Sequence, residues 1–374
     1  MLRAHGTRPR SWSTPPIRAA CCPGLLKPLV CGQSSSVSAP KTSRVSATNG
    51  VQVSTEQIKC LVTGATGYIG GQLVPELLGR GHAVRAMARK PAKLDRAPWR
   101  SQVEVTAGDL TKPDSLVKAF DGMDVVYYLV HSMGTSKDFV AEEAESARNV
   151  VAAAEKAGVR RIVYLSGLHP EGADLSRHLG SRVEVGEILL ASSIETVVLQ
   201  AGIVIGSGSA SFEMVRHLTD RLPVMTTPKW VHNKIQPISI DDALYYLAEA
   251  ASADVPESRT WDVGGPDVME YGDAMQTYAD VAGLRRRVMV VLPFLTPTIA
   301  SHWVGLVTPI KAGLARPLVE SLECDAICHE HDIDAVIPPP AAGLSSYRDS
   351  VVAALKEDHT GRRHLLRFSK VASQ

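Results

Sequence analysis

The 374-residue sequence predicts an α/β protein with a doubly wound parallel sheet and a smaller, mixed C-terminal lobe. Three observations lead to this prediction. From residue 58 onward, short apolar runs alternate with amphipathic stretches, which is typical of βαβ units. A glycine-rich turn lies between the first apolar run and the first amphipathic stretch. After residue 206 the alternation loosens, and loops rich in Pro, Gly and Trp connect helical segments.

Each strand and helix is predicted from its own local pattern. The segment 124–130 is almost wholly apolar, as expected for a central parallel strand. Pro113 is compatible with a helix because it falls in the first turn, where its missing N–H is not needed. The predicted strands are 59–63, 82–88, 103–107, 124–130, 161–166, 196–199 and a late strand at 260–263. The predicted helices are 69–79, 110–120, 139–157, 179–191, 212–222, 241–251 and 271–282.

The glycine-rich turn at 63–70 has the pattern TGxxGxxG directly after a strand and directly before a helix. Gly64 permits the tight turn, Gly67 lets the backbone approach a pyrophosphate, and Gly70 lets helix and strand pack closely. The helix start adds free N–H groups and a positive dipole end. The pattern predicts a Rossmann-type dinucleotide site; a glycine turn with a purely structural role is the alternative. The loop residues predicted to contact the cofactor are Gly64, Thr66, Gly67, Tyr68, Ile69 and Gly70.

The residues after the second strand favour NADP(H) over NAD(H). NAD sites usually place an acidic residue there, whereas NADP sites place Arg near the 2′-phosphate. Here the strand is followed by Arg89 and Lys90, with no carboxylate until Asp95. A guanidinium can hold a phosphate through two hydrogen bonds. We therefore expect Arg89 and Lys90 to bind the 2′-phosphate; a solvated turn is the alternative.

Further candidate cofactor contacts follow the later strands of the predicted sheet. Asp109 and Leu110 come after the third strand, where the adenine ring is expected. The carboxyl end of the fourth strand is expected beside the nicotinamide ribose, because ligands of such sheets bind where strand order reverses. That end carries Val130, His131 and Ser132, and Gly202 follows the sixth strand.

Composition and charge exclude several classes of function. The net charge is +1, and all seven charged residues among the first 55 are basic, so the remainder is mildly acidic. A mildly acidic body offers no broad electrostatic footprint for nucleic acid. No uninterrupted apolar run is long enough to predict a membrane-spanning helix. A small-molecule substrate is therefore the expected partner, and the oligomeric state is left open.

The chain is predicted to consist of a disordered extension (1–54), a dinucleotide-binding domain (55–206) and a substrate lobe (207–374) that partly returns to the sheet. The extension is rich in Arg and Ser and lacks acidic residues, which leaves two origins open. It is either an over-long start, in which the true start of a cytoplasmic bacterial protein lies near Val53, or an organellar transit peptide. Three of the six cysteines lie in it, so no disulfide framework is predicted and a reducing compartment is expected.

The motifs TGATGYIGG, ARK, GDL, VYYLVHSM and RIVYLSG occur in the order seen in the short-chain dehydrogenase/reductase superfamily. The sequence from 58 onward resembles this superfamily, and most of all its atypical, NAD(P)H-binding, NmrA-like members and their bacterial relatives of unknown function. The resemblance implies an NADP(H)-dependent oxidoreductase acting on a small, rather apolar carbonyl or unsaturated compound. The alternative it implies is a non-catalytic sensor or assembly factor that binds the dinucleotide.

The sequence departs from the superfamily at the usual Tyr-x-x-x-Lys pair. The resemblance retains Ser166 at the end of the fifth strand, where it would position a substrate oxygen. His178 and Arg182 stand in place of the Tyr and Lys. His178 or His131 would then handle a proton, whereas Arg182 would fix the ribose but cannot shuttle a proton. The alternative is that His178 and Arg182 lie on an exposed helix start and do no chemistry.

Two other features are weaker candidates. Cys324, Cys328 and His331 include zinc-ligand types, but a second, separated ligand cluster is missing, so no metal site is predicted. The segment 288–318 is apolar and repeatedly interrupted by proline. It predicts an apolar substrate pocket, a shallow membrane contact, or packing on the core or a second subunit.

Overall fold

A seven-stranded, fully parallel sheet forms the centre of the molecule and confirms the predicted fold class. The computed structural model describes residues 57–131, 138–170, 172, 175–292 and 318–358. The strands are β1 (Lys59–Val62), β2 (Ala83–Ala88), β3 (Glu104–Ala107), β4 (Val125–Tyr128), β5 (Arg161–Gly167), β6 (Glu195–Ala201), β7 (Val204–Ile205), β8 (Val224–Thr227), β9 (Lys234–Ile235), β10 (Ile238–Ser239), β11 (Arg259–Val263), β12 (Met269–Glu270) and β13 (Val288–Val291).

The order of strands in the sheet places the functional edge. The order is β11-β6-β5-β4-β1-β2-β3. Strands β1 to β3 follow one another towards one edge and β4 to β6 towards the other, so the strand order reverses between β1 and β4. Ligands of open α/β sheets bind outside the carboxyl ends of the strands at such a reversal. The segments that follow β1 and β4 therefore border the expected binding crevice.

The helices cover both faces of the sheet. They are α1 (Tyr68–Gly79), α2 (Pro113–Phe120), α3 (Phe139–Ala157), α4 (Arg177–Leu190), α5 (Ala210–Arg221), α6 (Ile240–Glu249), α7 (Tyr271–Val281) and α8 (Ile333–Val336), with a further helix at 347–358. Helix α1 packs beside α6, and α3 packs between α2 and α4. The hydroxyl of the fully buried Tyr127 on β4 donates to the Leu247 carbonyl at 3.0 Å, which ties the sheet to α6.

Most predicted boundaries lie within two residues of the observed ones, but α2 begins three residues later than predicted. The chain first makes a turn in which the Lys112 N–H donates to the Asp109 carbonyl at 2.8 Å. Lys112 is extended, with φ −127° and ψ 90°, because the ring of Pro113 disfavours a helical conformation in the residue before it. The helix therefore starts at Pro113 itself.

The chain after β6 builds a second apolar core and also returns to the central sheet. Strand β11 pairs with β6 in parallel register, and three two-stranded sheets lie outside the central one. Phe212, Tyr271 and Tyr278 are among the fully buried side chains of this second core. The apolar segment 288–318 begins with strand β13, which pairs with β8. Residues 293–317 of this segment lie outside the described part of the chain. Among the helices described here, none has the length and apolar character needed to cross a membrane.

Candidate functional site

The glycine loop is held directly against the end of β4. Gly64 has φ +71°, and a Cβ there would lie 2.6 Å from the Leu129 carbonyl oxygen. A Cβ on Gly70 would lie 2.5 Å from the Gly64 oxygen, so helix and loop also meet closely. The buried Thr63 hydroxyl donates to the Tyr127 carbonyl at 2.8 Å and accepts from the Leu129 N–H at 3.1 Å. These contacts fix the loop at the strand-order reversal.

The start of α1 is suited to an anion. Its N-cap is Gly67, which offers no side chain to satisfy the first N–H groups, and the first turn contains no acidic residue. The backbone donors and the positive end of the helix dipole therefore remain for a pyrophosphate. Thr66 and Gly67 are exposed, and Ile69 is half-buried. Tyr68 instead packs towards Gly206, where a Cβ would lie 2.3 Å from its hydroxyl oxygen.

The adenosine end of the expected site carries uncompensated positive charge. Arg89 and Lys90 are exposed immediately after β2, and neither forms an ion pair within the described part of the chain. The first carboxylate that follows, Asp95, faces Arg100 at 3.7 Å. Asp109 is half-buried, and one of its carboxylate oxygens already accepts from the Thr111 hydroxyl at 2.9 Å.

The backbone near the expected adenine and nicotinamide positions is partly engaged. Leu110 is buried, and its carbonyl accepts from Asn149 at 2.9 Å. The Gly202 N–H donates to the Val263 carbonyl at 3.0 Å, so this donor is used within the sheet. Val130 is half-buried after β4, and Ser132 lies outside the described residues.

Helix α4 carries two candidate residues, of which His178 is buried and Arg182 is half-buried. Its N-cap Ser176 accepts from the Leu179 N–H at 3.2 Å, which starts the helix just before His178. His178 is only 7% exposed, and its Nδ1 has no hydrogen-bond partner among the described residues. Arg182 follows one turn later and donates to the Leu165 carbonyl and to His131. The alternative of an exposed helix start therefore does not describe His178.

Burial and charge keep the two imidazoles neutral. Burial lowers the pKa of His131 from 6.5 to about 4, and the positive charge of Arg182 lowers it in the same direction. The pKa of His178 is also lowered to about 4 by burial, then by Arg182 and by His131. Their ring centroids are 6.3 Å apart. At neutral pH neither residue carries a proton that it can readily release.

Ser166 lies at the carboxyl end of β5 and is 4% exposed. It is opposite Gln200 of β6 in the strand register. The Gln200 amide nitrogen lies 3.0 Å from Nε2 of His169, the third residue after Ser166. The structure therefore brings Ser166 into one region with Gln200 and with His169, which sequence reasoning did not single out.

Sequence reasoning also missed the buried carboxylate of Glu143 on α3. Glu143 is 3% exposed, and the Ser181 hydroxyl donates to it. The signal was present, because Glu143 falls on the same helical stripe as the buried Ala147, Val150 and Ala154. A carboxylate within an apolar stripe indicates a buried partner.

The Cys324, Cys328 and His331 segment forms no recognisable metal centre. In the described ranges, no three or more His, Cys, Asp or Glu side chains are grouped in a way that could hold a metal ion. The pKa of the Cys328 thiol is raised to about 12, mainly by burial. The Cys328 N–H instead donates to the Gln236 side chain at 2.9 Å, a contact that anchors this segment to the lobe.

Comparison with known proteins finds a match in the part of the chain that carries the glycine loop. Residues 64–202 match the NAD(P)H-binding family model. The match covers less than half of the chain. It agrees with the resemblance to the short-chain dehydrogenase/reductase superfamily that the motifs carry.

Curated relatives match over part of their length. The chain is 36% identical over 124 residues to the 3 beta-hydroxysteroid dehydrogenase/Delta 5-4 isomerase of Mycobacterium tuberculosis, covering 30% of this chain and 33% of that protein. It is 37% identical over 117 residues to cinnamoyl-CoA reductase 1 of Oryza sativa, covering 30% and 34%. The chain thus spans about a third of the length of these relatives.

Solved structures share the fold over most of the chain. The Citrobacter sp. triphenylmethane reductase complexed with NADP(H) aligns with a TM-score of 0.62 at 20% identity, covering 79% of this chain and 99% of that one. An NADPH-dependent quinone oxidoreductase from Escherichia coli aligns with a TM-score of 0.61 at 20% identity, covering 78% and 98%. At this identity the likeness establishes the fold alone.

Proposed function

We propose that this protein is an NADP(H)-dependent oxidoreductase that reduces a small, rather apolar carbonyl or unsaturated compound. The observation that carries the proposal is the convergence of two features on one edge of the sheet. An uncapped helix start follows β1, the half-buried His131 follows β4, and the buried Ser166 lies at the carboxyl end of β5. Known proteins with this fold include reductases described as NADP(H) or NADPH complexes.

The residues present fit a dinucleotide with a 2′-phosphate. The glycine loop and the first N–H groups of α1 would hold the pyrophosphate, because no side chain of the N-cap competes for them. Arg89 and Lys90 would hold the 2′-phosphate, since both are exposed at the end of β2 and no carboxylate opposes them there. NADPH supplies a hydride when bound.

The chain's own residues would prepare the acceptor. The Ser166 hydroxyl would donate to the substrate oxygen at the end of β5. Arg182 remains positively charged and would stabilise negative charge that develops on that oxygen. His131 and His178 are neutral at working pH, so they would orient groups rather than supply a proton. The proton that completes the product would then come from water, which accounts for a site without the usual Tyr.

We also propose that the protein works in a reducing compartment such as the cytoplasm. The described cysteines, Cys60, Cys324 and Cys328, are all free thiols. Free thiols are maintained in reducing compartments and become paired in oxidising ones.

The proposal is tested by following NADPH oxidation with a panel of aldehydes, ketones, quinones and enones. We expect turnover with at least one apolar acceptor and a large loss of kcat in Ser166→Ala. Ser252→Ala is the matched control, because Ser252 is exposed and lies near the amino end of β5, at the opposite edge of the sheet from Ser166. Tight NADPH binding without oxidation by any acceptor would instead indicate a non-catalytic sensor. Equal kcat for Ser166→Ala and wild type would remove Ser166 from the mechanism.

A further inference from the structure

Glu143 is a buried carboxylate on α3 that the proposed mechanism does not use. It is only 3% exposed and lies on the same buried helix stripe as the apolar residues Ala147 and Val150. The Ser181 hydroxyl of α4 donates to its Oε2, and its Oε1 lies 3.9 Å from Nδ1 of His131. Removing a carboxylate from water is costly unless other groups compensate its charge. The compensating groups here belong to the proposed site.

The His131 ring also contacts Arg182. One terminal nitrogen of Arg182 lies near both ring nitrogens of His131, closer to Nε2 than to Nδ1, which is 3.3 Å away. The other terminal nitrogen donates to the Leu165 carbonyl. A guanidinium only donates, so one nitrogen of the neutral ring accepts from Arg182. The imidazole therefore contacts a guanidinium and has a carboxylate 3.9 Å from its Nδ1.

We propose that Glu143 is the positioning residue of this site: its carboxylate orients the His131 imidazole, which in turn holds Arg182. This inference rests on the proposed function only because it assumes that the reaction takes place at this site. Glu143 also supplies the negative charge that balances Arg182 in the interior. Arg182 is held in place by acceptors on two different strand ends, the His131 ring after β4 and the Leu165 carbonyl of β5.

This arrangement leaves two polar atoms for a ligand. Nε of Arg182 and Nδ1 of His178 are buried one helical turn apart and have no hydrogen-bond partner in the described part of the chain. A hydroxyl group can accept from the first and donate to the second, and a carbonyl oxygen can accept from the first. The ligand class is therefore an oxygen-bearing group, either of the substrate or of a ribose.

The coupling is tested by titrating the histidines in the full-length protein by NMR, with His131→Asn and His178→Asn for assignment. The titratable and charged groups around His131 are Glu143 on α3, His178 and Arg182 on α4, and Tyr128 and Tyr164 on the neighbouring strands. In Arg182→Gln the main lowering charge is absent, so the His131 pKa rises into an accessible range. Adding Glu143→Gln should lower it again by about one unit, a tenfold change in the protonation constant. Adding Glu145→Gln, an exposed change on the same helix, should leave it unchanged.

A similar His131 pKa in both double variants would overturn the proposal, because Glu143 would then not face the ring. Circular dichroism establishes that each variant is folded before its titration is interpreted. A second test measures the steady-state kinetics of single variants. Glu143→Gln should reduce kcat at least tenfold with little change in the KM for NADPH, and Glu143→Asp should recover part of the lost kcat. A kcat equal to that of wild type in Glu143→Gln would also overturn the proposal. If the NMR coupling is present but wild type oxidises no NADPH, the positioning stands and the proposed function fails.

Discussion

Arg182 donates a hydrogen bond to His131, 51 residues earlier in the chain, and so joins the helix after β5 to the end of β4. This contact places a permanent positive charge beside two imidazoles, the half-buried His131 and the buried His178. It accounts for part of the lowered pKa of both His131 and His178. The predictions that follow depend on this pair and on the loop opposite it.

The first prediction concerns acid stability. The folded-state pKa of His178 is about 4, below the ordinary 6.5, so the unfolded chain binds more protons between these values. Stability is therefore complete above about pH 6.5 and falls as the pH drops towards 4. His178 should contribute about 2 kcal/mol to the loss between about pH 7 and about pH 5. Urea denaturation should show that His178→Gln loses less stability than wild type over this interval.

The free energy of unfolding at the lower pH is compared with that of the same protein at the higher pH. A loss of stability in His178→Gln that does not depend on pH therefore cancels. His82→Gln is a useful control, because His82 is only half-buried and remote from Arg182. An acid-induced loss in His178→Gln as large as that of wild type would show that His178 is not kept neutral by its surroundings.

The second prediction concerns Gly64. Its φ of +71° disfavours any residue with a Cβ, and that Cβ would lie 2.6 Å from the Leu129 carbonyl oxygen. The backbone conformation alone should cost Gly64→Ala about 1–3 kcal/mol, and the displaced loop should weaken NADPH binding. Gly79→Ala is the matched control, because nothing lies within 4 Å of its Cβ position at the end of α1. Chemical denaturation and NADPH titration should find Gly79→Ala close to wild type; similar behaviour of the two variants would contradict the loop geometry.

The third prediction concerns Thr63, which joins β1 to the end of β4. Replacing it with the isosteric Val leaves the Leu129 N–H without its acceptor at 3.1 Å. The expected cost is about 1–3 kcal/mol, together with weaker NADPH binding because the loop loses its anchor. Thr63→Ser keeps the hydroxyl and should recover most of both losses. Denaturation midpoints of the two variants that do not differ would show that the hydrogen bonds are unimportant here.

The fold and the cofactor loop were predictable because their signals are local. A buried strand, the glycine pattern and an amphipathic helix are contiguous, and each restricts the chain through its own backbone. The start of α2 at Pro113 was predictable in principle from the restriction that proline imposes on Lys112. The position of Tyr68 was not, since it depends on the close approach of Gly206, which is distant in the sequence.

The contacts among His131, Glu143, Ser181 and Arg182 were harder to predict, because they too depend on residues that are distant in the sequence. Glu143 is 38 residues from Ser181, and its burial depends on how α3 and α4 meet. Helical periodicity places Glu143 on the inner stripe, but it cannot name the partner. Likewise, the motif comparison singled out His178 and Arg182 as replacements. The burial of His178 and the contact of Arg182 with His131 became evident only from the packing.

The central claim is that this chain binds NADPH through the glycine loop and Arg89, and thermal unfolding with NADPH, NADH or neither tests it most directly. A nucleotide at about 100 times its dissociation constant should add roughly 2.7 kcal/mol of stability. We expect NADPH to raise the midpoint more than NADH does. Arg89→Ala should remove that difference, whereas Arg96→Ala, another exposed arginine after β2, should keep it. If neither nucleotide raises the midpoint at saturating concentration, the loop does not bind a dinucleotide and the proposed oxidoreductase function is wrong.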